Sequence, residues 1–233
     1  MQAEKMAPAE SSAFETTINP KNWDYLSFDD PVITDRISNV LATYAEHGNQ
    51  ISRQIIKDIY RRDLGEGVVA TIFWGYTKGR YPGGKGFQDV IAHLDDIVAV
   101  LRDAKARKGS ISTYEVCRRM GQVAGMGVST YTKMLYLAEI ETSDGICLIY
   151  DQMIMRAISV SDEPELASIR KKLGDCIVER NGKRSYRTYT QNVQEDTYGA
   201  FIRAARRIAQ RDGQHPADVE QRIFFEAPNG RLD

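Results

Sequence analysis

Apolar residues recur at helical spacing along most of this 233-residue chain, and this pattern limits the possible fold more than any other feature. Strand-like alternation is scarce, and the segment 174–188 is polar with no regular pattern. The stretch 68–84 begins as an apolar helix or strand and continues into a Gly/Pro-rich loop. The sequence therefore predicts an all-α fold, with helices over residues 31–46, 50–63, 87–106, 112–122, 130–140, 151–158, 163–173, 189–211 and 216–225.

The overall charge argues against a protein that coats nucleic acid without sequence preference. The formal net charge is -1 and the sequence pI is about 6.3, whereas such proteins carry a large positive charge. Basic residues nevertheless cluster in the later part of the chain, and each cluster is either a solvated face or a phosphate-binding patch. The clusters are Arg102/Lys105/Arg107/Lys108, Arg118/Arg119, Arg170/Lys171/Lys172, Lys183/Arg184/Arg187 and Arg203/Arg206/Arg207/Arg211.

The spacing of the cysteines and histidines gives no signal for a metal site. Cys117, Cys147 and Cys176 are widely spaced, odd in number and form no C-x-x-C pair, which predicts a reducing compartment and no zinc or iron–sulfur centre. We expect no metal and no cofactor. The chain start lacks the apolar core of a signal peptide, and no apolar run is long enough to span a membrane. We therefore expect a cytoplasmic monomer with no membrane partner.

The composition divides the chain into two parts. Residues 1–20 are rich in Ala, Glu, Ser and Pro and are expected to be disordered or loosely attached, whereas residues 21–233 form the helical domain. An aromatic stretch of this domain runs into the Gly/Pro-rich loop, where its rings either stack on a nucleic-acid base or simply supply core. These aromatic residues are Phe73, Trp74, Tyr76 and Tyr81.

A Gly-x-Gly turn, Gly125-Met-Gly127, separates two predicted helices. Glycines can adopt positive φ and expose successive backbone N–H groups where a helix begins, which makes a site for an anion such as a DNA phosphate. Ser129 or Thr130 is expected to cap the second helix. A plain turn between helices is the alternative, and the motif alone does not separate the two interpretations.

Lys133 lies near the start of the second helix, which is apolar on most sides and is therefore predicted to be buried. Desolvation and the positive end of the helix dipole both disfavour a protonated lysine at this place. A neutral lysine is what nucleophilic catalysis through a Schiff base requires. The alternative is a lysine whose ammonium reaches solvent or a phosphate.

Asp151 follows the apolar stretch Cys147-Leu-Ile-Tyr150, which is too short for more than an extended connection. It is a natural N-cap for the next predicted helix. Its functional interpretation is a carboxylate that stabilises a cationic, sugar-like transition state or moves the proton of the lysine. The two interpretations are compatible.

The order of these features resembles the helix-hairpin-helix DNA glycosylases, most closely the compact archaeal and bacterial 8-oxoguanine DNA glycosylases. Lys133-Met-Leu-Tyr136 is similar to the lysine-bearing pair that precedes a tyrosine in that family, and Ile149-Tyr-Asp151 is similar to the stretch that supplies its catalytic aspartate. The segment 217–224 looks like the closing helix of bacterial relatives. The missing four-cysteine cluster sets the chain apart from the endonuclease III branch.

This resemblance implies a two-lobed helix-hairpin-helix DNA glycosylase fold, with one lobe at about 86–160 and the other from the remaining N- and C-terminal helices. It implies that double-stranded DNA with a damaged or modified base is the partner, that Lys133 attacks C1′ with help from Asp151, and that the base is flipped into a pocket between the lobes. The residues implied for the DNA backbone are Gly125, Gly127, Ser129 and Thr130. The pocket candidates are Phe73, Trp74, Tyr76, Tyr131, Phe224 and Phe225.

One departure leaves the nucleophile open. In many members of the family the lysine follows the second glycine more closely, at the position that Ser129 occupies here, and in that register Lys133 would be structural. The leading hypothesis is a base excision repair glycosylase with AP lyase activity, most simply for 8-oxoguanine. One alternative is a glycosylase that excises the modified bases of phage DNA in anti-phage defence. The other is a non-catalytic helix-hairpin-helix module that binds DNA or a partner.

Overall fold

The fold is all-α, as the sequence predicts. The computed structural model describes residues 15–80, 86–180 and 183–228, and these ranges contain eleven α-helices. They are α1 (Pro31–Glu46), α2 (Arg53–Arg62), α3 (Leu64–Gly75), α4 (Gln88–Ala92), α5 (Leu94–Ala106), α6 (Thr113–Gly121), α7 (Val128–Leu137), α8 (Gln152–Val160), α9 (Ala167–Leu173), α10 (Gln191–Asp212) and α11 (Pro216–Phe225). Two short 3-10 helices, Pro20–Trp23 and Pro164–Leu166, complete the helical part.

Three pairs of short antiparallel strands connect some of these helices. The pairs are β1 (Thr16–Thr17) with β2 (Gln50–Ile51), β3 (Glu141–Thr142) with β4 (Gly145–Ile146), and β5 (Ile177–Arg180) with β6 (Lys183–Tyr186). The third pair corrects the expectation that the segment 174–188 is irregular. Its strands carry polar and charged residues without alternation, so the period-2 signal of a half-buried strand is missing from the sequence.

Contacts divide the chain into two compact units, residues 1–92 and 93–233. In the described part of the chain the first unit contains α1 to α4 and the second contains α5 to α11. The second unit includes the C-terminal helices because α10 packs on both α6 and α7. The lobe limits predicted from the sequence, about 86–160 against the remaining helices, differ from this grouping and stay a prediction.

Helix α3 forms the centre of the first unit. It packs on α1 and α2, and its apolar and glycine residues from Gly67 to Phe73 are all buried. The hydroxyl groups that reach this core have partners: Tyr44 Oη donates to Ala70 O (2.9 Å), and Tyr60 Oη shares a hydrogen bond with Thr71 Oγ1 (2.9 Å). At the chain start, Ile18 is buried and its N–H donates to Asn49 O (2.9 Å). Residues 1–14 of the predicted disordered segment lie outside the described residues.

Helix α10 is the longest helix of the second unit and packs against α6, α7, α9 and α11. The ring of Tyr150 lies against two aromatic rings of α10, with centroid distances of 5.6 Å to Tyr198 and 5.0 Å to Phe201. These contacts hold the extended stretch 147–150, which leads to Asp151, against the centre of the unit.

Four predicted helices have different limits in the structure. The helix predicted over 50–63 begins at Arg53, because Gln50–Ile51 forms β2. The helix predicted over 87–106 is interrupted at His93 (φ -102°, ψ 27°). Helix α5 begins after it with two acidic residues in its first turn, and negative charges at this position stabilise the start of a helix. The helix predicted over 163–173 begins as a 3-10 turn at Pro164. The helix predicted over 130–140 is α7, and its N-cap is Gly127, not Ser129 or Thr130. Gly127 has extended backbone (φ -99°, ψ 164°), so both predicted caps lie within the first helical turn.

Candidate active site

The connection between α6 and α7 leaves the start of α7 without a side-chain cap. Gly125 has φ +77°, a conformation that favours glycine, and it reverses the chain before α7. A Cβ added at Gly127 would meet nothing within 4 Å, so the N-cap of α7 faces open space. A helix start with uncapped N–H groups at an open surface has the properties of an anion site.

Thr130 contributes less to this surface than the sequence suggests. Its side chain is buried, and its N–H donates to Gly127 O (2.9 Å). Ser129 is half-buried, and it lies one residue nearer the open end of the helix. The roles of Gly125, Gly127, Ser129 and Thr130 in binding a DNA backbone stay predictions.

Lys133 lies in the middle of α7, where most neighbouring side chains are buried. The exposed fraction of its own side chain is 12%. Its Nζ donates to the backbone oxygen of Ser129 (3.0 Å), one turn earlier, and to Asp151 Oδ2 (3.2 Å). The amine is therefore held between its own helix and the start of α8.

Asp151 is the N-cap of α8, as the sequence predicts. Its Oδ1 accepts from the N–H groups of Met153 (3.0 Å) and Ile154 (3.2 Å), which leaves Oδ2 for Lys133. Burial raises the pKa of the Asp151 carboxyl. The Lys133 ammonium and the two N–H groups lower this pKa by a larger amount, so that it lies below its usual value. The carboxylate is thus ionised at neutral pH and serves as cap and counter-ion together.

A single hydroxyl joins the two residues that precede Lys133 and Asp151. Thr132 Oγ1 accepts from the N–H of Tyr150 (3.1 Å) and donates to the carbonyl oxygen of Tyr150 (3.4 Å). Both residues are buried. Because each neighbours one member of the Lys133–Asp151 pair, this hydroxyl fixes the distance between α7 and the start of α8.

A second hydroxyl holds the same extended stretch further from the pair. Tyr198 Oη on α10 accepts from Leu148 N (3.2 Å) and donates to Leu148 O (2.8 Å). The ring of Tyr150 is also fixed, since its Oη donates to Thr197 Oγ1 (2.8 Å). Sequence reasoning missed these contacts. Thr132 carried a usable signal, because it is a polar residue beside Lys133 in a helix that is otherwise mostly apolar.

The pocket candidates of the first unit lie partly in its core. Phe73 is fully buried and stacks on Trp23 at a centroid distance of 4.1 Å, which favours the core interpretation for this ring. Trp74 is half-buried, with the guanidinium of Arg53 5.8 Å from its centroid. Tyr76 is half-buried against Phe87, at 4.7 Å. The fourth aromatic residue of this stretch, Tyr81, lies outside the described residues.

The pocket candidates of the second unit differ in exposure. Tyr131 is fully buried in α7, whereas Phe225 at the end of α11 is 58% exposed. Phe224 is half-buried, and its ring lies edge-on to that of Phe225 at 5.7 Å. Their assignment to a base pocket stays a prediction.

The three cysteines offer no alternative nucleophile. All are buried and free, and burial raises the pKa of the Cys117 thiol to about 12, so that the reactive thiolate is not formed at neutral pH. Within residues 15–80, 86–180 and 183–228, no group of three or more His, Cys, Asp or Glu side chains is arranged to hold a metal ion. No helix in these ranges is long and apolar enough to cross a membrane.

Comparison with known proteins agrees with the resemblance found in the sequence. The family model described as "OGG: Putative 8-oxoguanine DNA glycosylase OGG-like protein" matches residues 10–224, a range that includes both Lys133 and Asp151. No curated protein and no solved structure matches the chain. The matched range covers most of the sequence, and the chain belongs to this family of OGG-like DNA glycosylases.

Proposed function

We propose that the protein is a DNA glycosylase with AP lyase activity that removes an oxidised purine, 8-oxoguanine, from double-stranded DNA. The observation that carries this proposal is the contact of Lys133 Nζ with Asp151 Oδ2, at 3.2 Å, in a site where both side chains are mostly buried. An amine beside an ionised carboxylate is the pair that nucleophilic displacement at a sugar carbon requires.

In the proposed reaction, the Lys133 ammonium first loses a proton to solvent, and the neutral Nζ then forms a bond to C1′ while the bond from C1′ to the purine N9 breaks. The electron pair of that bond leaves with the base, and the proton that the amine gives up neutralises it. Positive charge develops on the sugar during this step, and the Asp151 carboxylate, held by Met153, Ile154 and Lys133, is placed to stabilise it. Ring opening to the Lys133 imine then permits strand cleavage by elimination.

The lowered pKa of Asp151 supports one of its two possible roles. A carboxylate with a lowered pKa is a weak base at neutral pH, so it is poorly suited to accept the lysine proton permanently. Electrostatic stabilisation needs only that it stay ionised. We therefore assign charge stabilisation to Asp151. The proton that the amine loses on bonding to C1′ passes to the departing base.

In this proposal, the start of α7 binds the phosphate backbone of the duplex. DNA phosphates are bound at uncapped helix starts through backbone N–H groups, without readout of base sequence. Gly127, which has open space around it, lies six residues before Lys133 in the sequence. The α6–turn–α7 segment would thus act as a helix-hairpin-helix, binding the backbone and presenting the amine from one helix.

The test combines base release with trapping by borohydride. Duplexes that contain 8-oxoguanine, other modified bases or an abasic site are incubated with the wild-type protein, Lys133→Ala and Ser129→Ala. We expect release of 8-oxoguanine and a covalent adduct that is lost in Lys133→Ala but kept in Ser129→Ala. An adduct that survives Lys133→Ala would overturn the role of Lys133. Release only from phage DNA with modified bases would change the substrate, and binding without any base release would indicate a non-catalytic module.

A further inference from the structure

A basic segment follows α9 in the second unit. Residues 170–180 and 183–187, here called the basic hairpin segment, comprise the end of α9, the short connection after it, β5, β6 and the residue after β6. The segment has seven basic residues and two acidic residues in a chain whose net charge is -1. The basic residues are Arg170, Lys171, Lys172, Arg180, Lys183, Arg184 and Arg187; the acidic ones are Asp175 and Glu179.

Two hydrogen bonds of Arg187 hold the base of this segment. The N–H of Arg187 donates to Cys176 O (2.7 Å), which closes the hairpin beside a buried cysteine. The side chain of Arg187 donates to Leu173 O (3.2 Å), one of the last carbonyl groups of α9. A positive side chain at a helix end also interacts favourably with the helix dipole. The hairpin is therefore joined to the end of α9, which carries Lys171 and Lys172.

Two contacts fasten the segment and the residues after it to α8, the helix that Asp151 caps. The amide of Gln152 donates to Tyr189 O (3.2 Å) and accepts from Tyr189 N (3.0 Å). One turn further, the guanidinium of Arg156 lies over the ring of Tyr186, 4.6 Å from its centroid. Arg156 is five residues after Asp151, which corresponds to about 7 Å along the helix. The basic hairpin segment thus packs on the helix whose first turn holds the carboxylate of the proposed active site.

Three of the seven charges on this segment are available to a ligand. Lys171, Lys172 and Arg184 are exposed, and none of them forms an ion pair within the part of the chain that the structure describes. Several basic side chains elsewhere in the second unit are occupied by carboxylates. These pairs are Arg107 with Glu115, Arg119 with Asp103, Arg203 with Asp144, and Arg211 with Glu163.

We propose that the basic hairpin segment is a second DNA-backbone-binding element, which holds phosphates beside the nucleotide at the Lys133–Asp151 pair. The partner is the phosphate backbone of duplex DNA, because several neighbouring exposed cations without carboxylate partners match its closely spaced phosphates. This inference rests on the proposed function in taking DNA as the partner, but it adds a contact outside the α6–turn–α7 segment. It also accounts for DNA binding by a chain without a net positive charge.

The test compares two double substitutions that remove the same charge. Lys172→Gln/Arg184→Gln alters the basic hairpin segment. Arg206→Gln/Arg207→Gln is the matched control, since both residues are exposed on α10 and form no ion pair with a described residue; Arg206 lies beside Gly145, beyond the other end of α7. The dissociation constant of each variant is measured with a labelled, undamaged duplex at several salt concentrations.

We expect the first variant to bind about tenfold more weakly, and its plot of log K against log salt concentration to lose about 0.9 in slope for each phosphate contact removed. The control is expected to keep the wild-type slope. A wild-type affinity and slope in Lys172→Gln/Arg184→Gln would overturn the proposal, and so would an equal effect in both variants, because the effect would then be one of overall charge.

The two proposals fail in different measurements. A protein that binds duplex through this segment but releases no base from any substrate would contradict the glycosylase activity and leave the second contact in place. Base release together with an unchanged salt slope in Lys172→Gln/Arg184→Gln would contradict the second contact and leave the glycosylase activity in place.

Discussion

Helices α3 and α7 are both almost wholly buried, yet they use their buried polar groups differently. In α3 the hydroxyl of Thr71 contacts Tyr60 Oη and donates to Gly67 O (2.8 Å), so it serves only the core of the first unit. In α7 the hydroxyl of Thr132 holds the backbone of Tyr150, and the next residue is the ion-paired Lys133.

The difference indicates which helix is built for stability. A buried ion pair contributes less to folding than well-packed apolar residues in the same space, because both charges lose their hydration. Helix α3 has no charge beyond its first turn, whereas α7 keeps one in its middle. We infer that the charge in α7 is kept for chemistry, and each prediction below treats α3 as the reference.

The largest expected effect comes from making α7 as apolar as α3. The double variant Lys133→Met/Asp151→Asn removes both charges and keeps a good N-cap on α8. We expect base release to fall by about 10³-fold or more, while the free energy of unfolding stays the same or rises. Single-turnover kinetics and urea denaturation measure the two quantities.

The single variant Lys133→Met is the informative companion. It leaves the Asp151 carboxylate without its counter-ion and is therefore expected to be less stable than the double variant. A double variant that is several kcal/mol less stable than the wild type, on the scale of about 3–5 kcal/mol for a broken buried pair, would mean that the pair is structural.

The second prediction compares the two buried threonines. Thr132→Val and Thr71→Val each delete one hydroxyl and leave its partners unsatisfied, at a cost of about 1–3 kcal/mol. We expect only Thr132→Val to slow base release, by about 10- to 100-fold, because a small displacement of Lys133 from Asp151 misaligns the attack. Thr132→Ser, which restores the hydroxyl, is expected to recover most of the rate.

A further control uses Tyr198, the second hydroxyl that holds the stretch 147–150. Tyr198→Phe removes the hydroxyl that holds Leu148, three residues before Asp151, and is expected to reduce stability more than the rate. If Thr132→Val lowered only stability, or if Thr71→Val slowed base release equally, Thr132 would have no special relation to the site.

The third prediction concerns one glycine in each region. A Cβ at Gly67 would clash with the ring of Tyr60, whereas one at Gly127 would meet nothing within 4 Å. Gly67→Ala is therefore expected to lower the free energy of unfolding by about 1–3 kcal/mol without changing DNA affinity. Gly127→Ala is expected to keep wild-type stability but weaken DNA binding several-fold, because its methyl group occupies the approach of the phosphate. A wild-type DNA affinity in Gly127→Ala as well as in Gly67→Ala would mean that the DNA backbone is not bound at the start of α7.

The smallest expected effect is a pH dependence of stability that arises from Asp151, the N-cap residue of α8 that contacts Lys133 of α7. The folded-state pKa of Asp151 is lowered, so its contribution to stability is present above the unfolded value of about 3.9 and is lost as the pH falls through the folded pKa. The difference in unfolding free energy between the wild type and Asp151→Asn should therefore shrink below about pH 4. Denaturation at a series of pH values measures it, and a constant difference would contradict the assigned pKa direction.

Local signals were enough to predict most of the helices and the capping role of Asp151. The limits of α1 follow from Pro31 and helical spacing, and the capping role of Asp151 follows from its place after an apolar stretch. The sequence also placed Lys133 and Asp151 in one site through the order of motifs typical of a family. Their contact at 3.2 Å agrees with that order, while their catalytic roles stay predictions.

The features that were missed depend on contacts between distant parts of the chain. Thr132 and Tyr150 are eighteen residues apart, and Tyr198 reaches Leu148 over fifty residues. No local pattern encodes such pairs. The N-cap at Gly127 was missed for another reason: Ser129 and Thr130 are better capping residues, but the extended backbone at Gly127 starts the helix before them.

The most direct test of the central claim is the position of the covalent bond. The borohydride-reduced complex with DNA is digested, and the modified peptide is identified by mass spectrometry. We expect a single adduct on the Nζ of Lys133, in the peptide that also contains Met134. An adduct on any other lysine, or release of the base with no adduct at all, would contradict it.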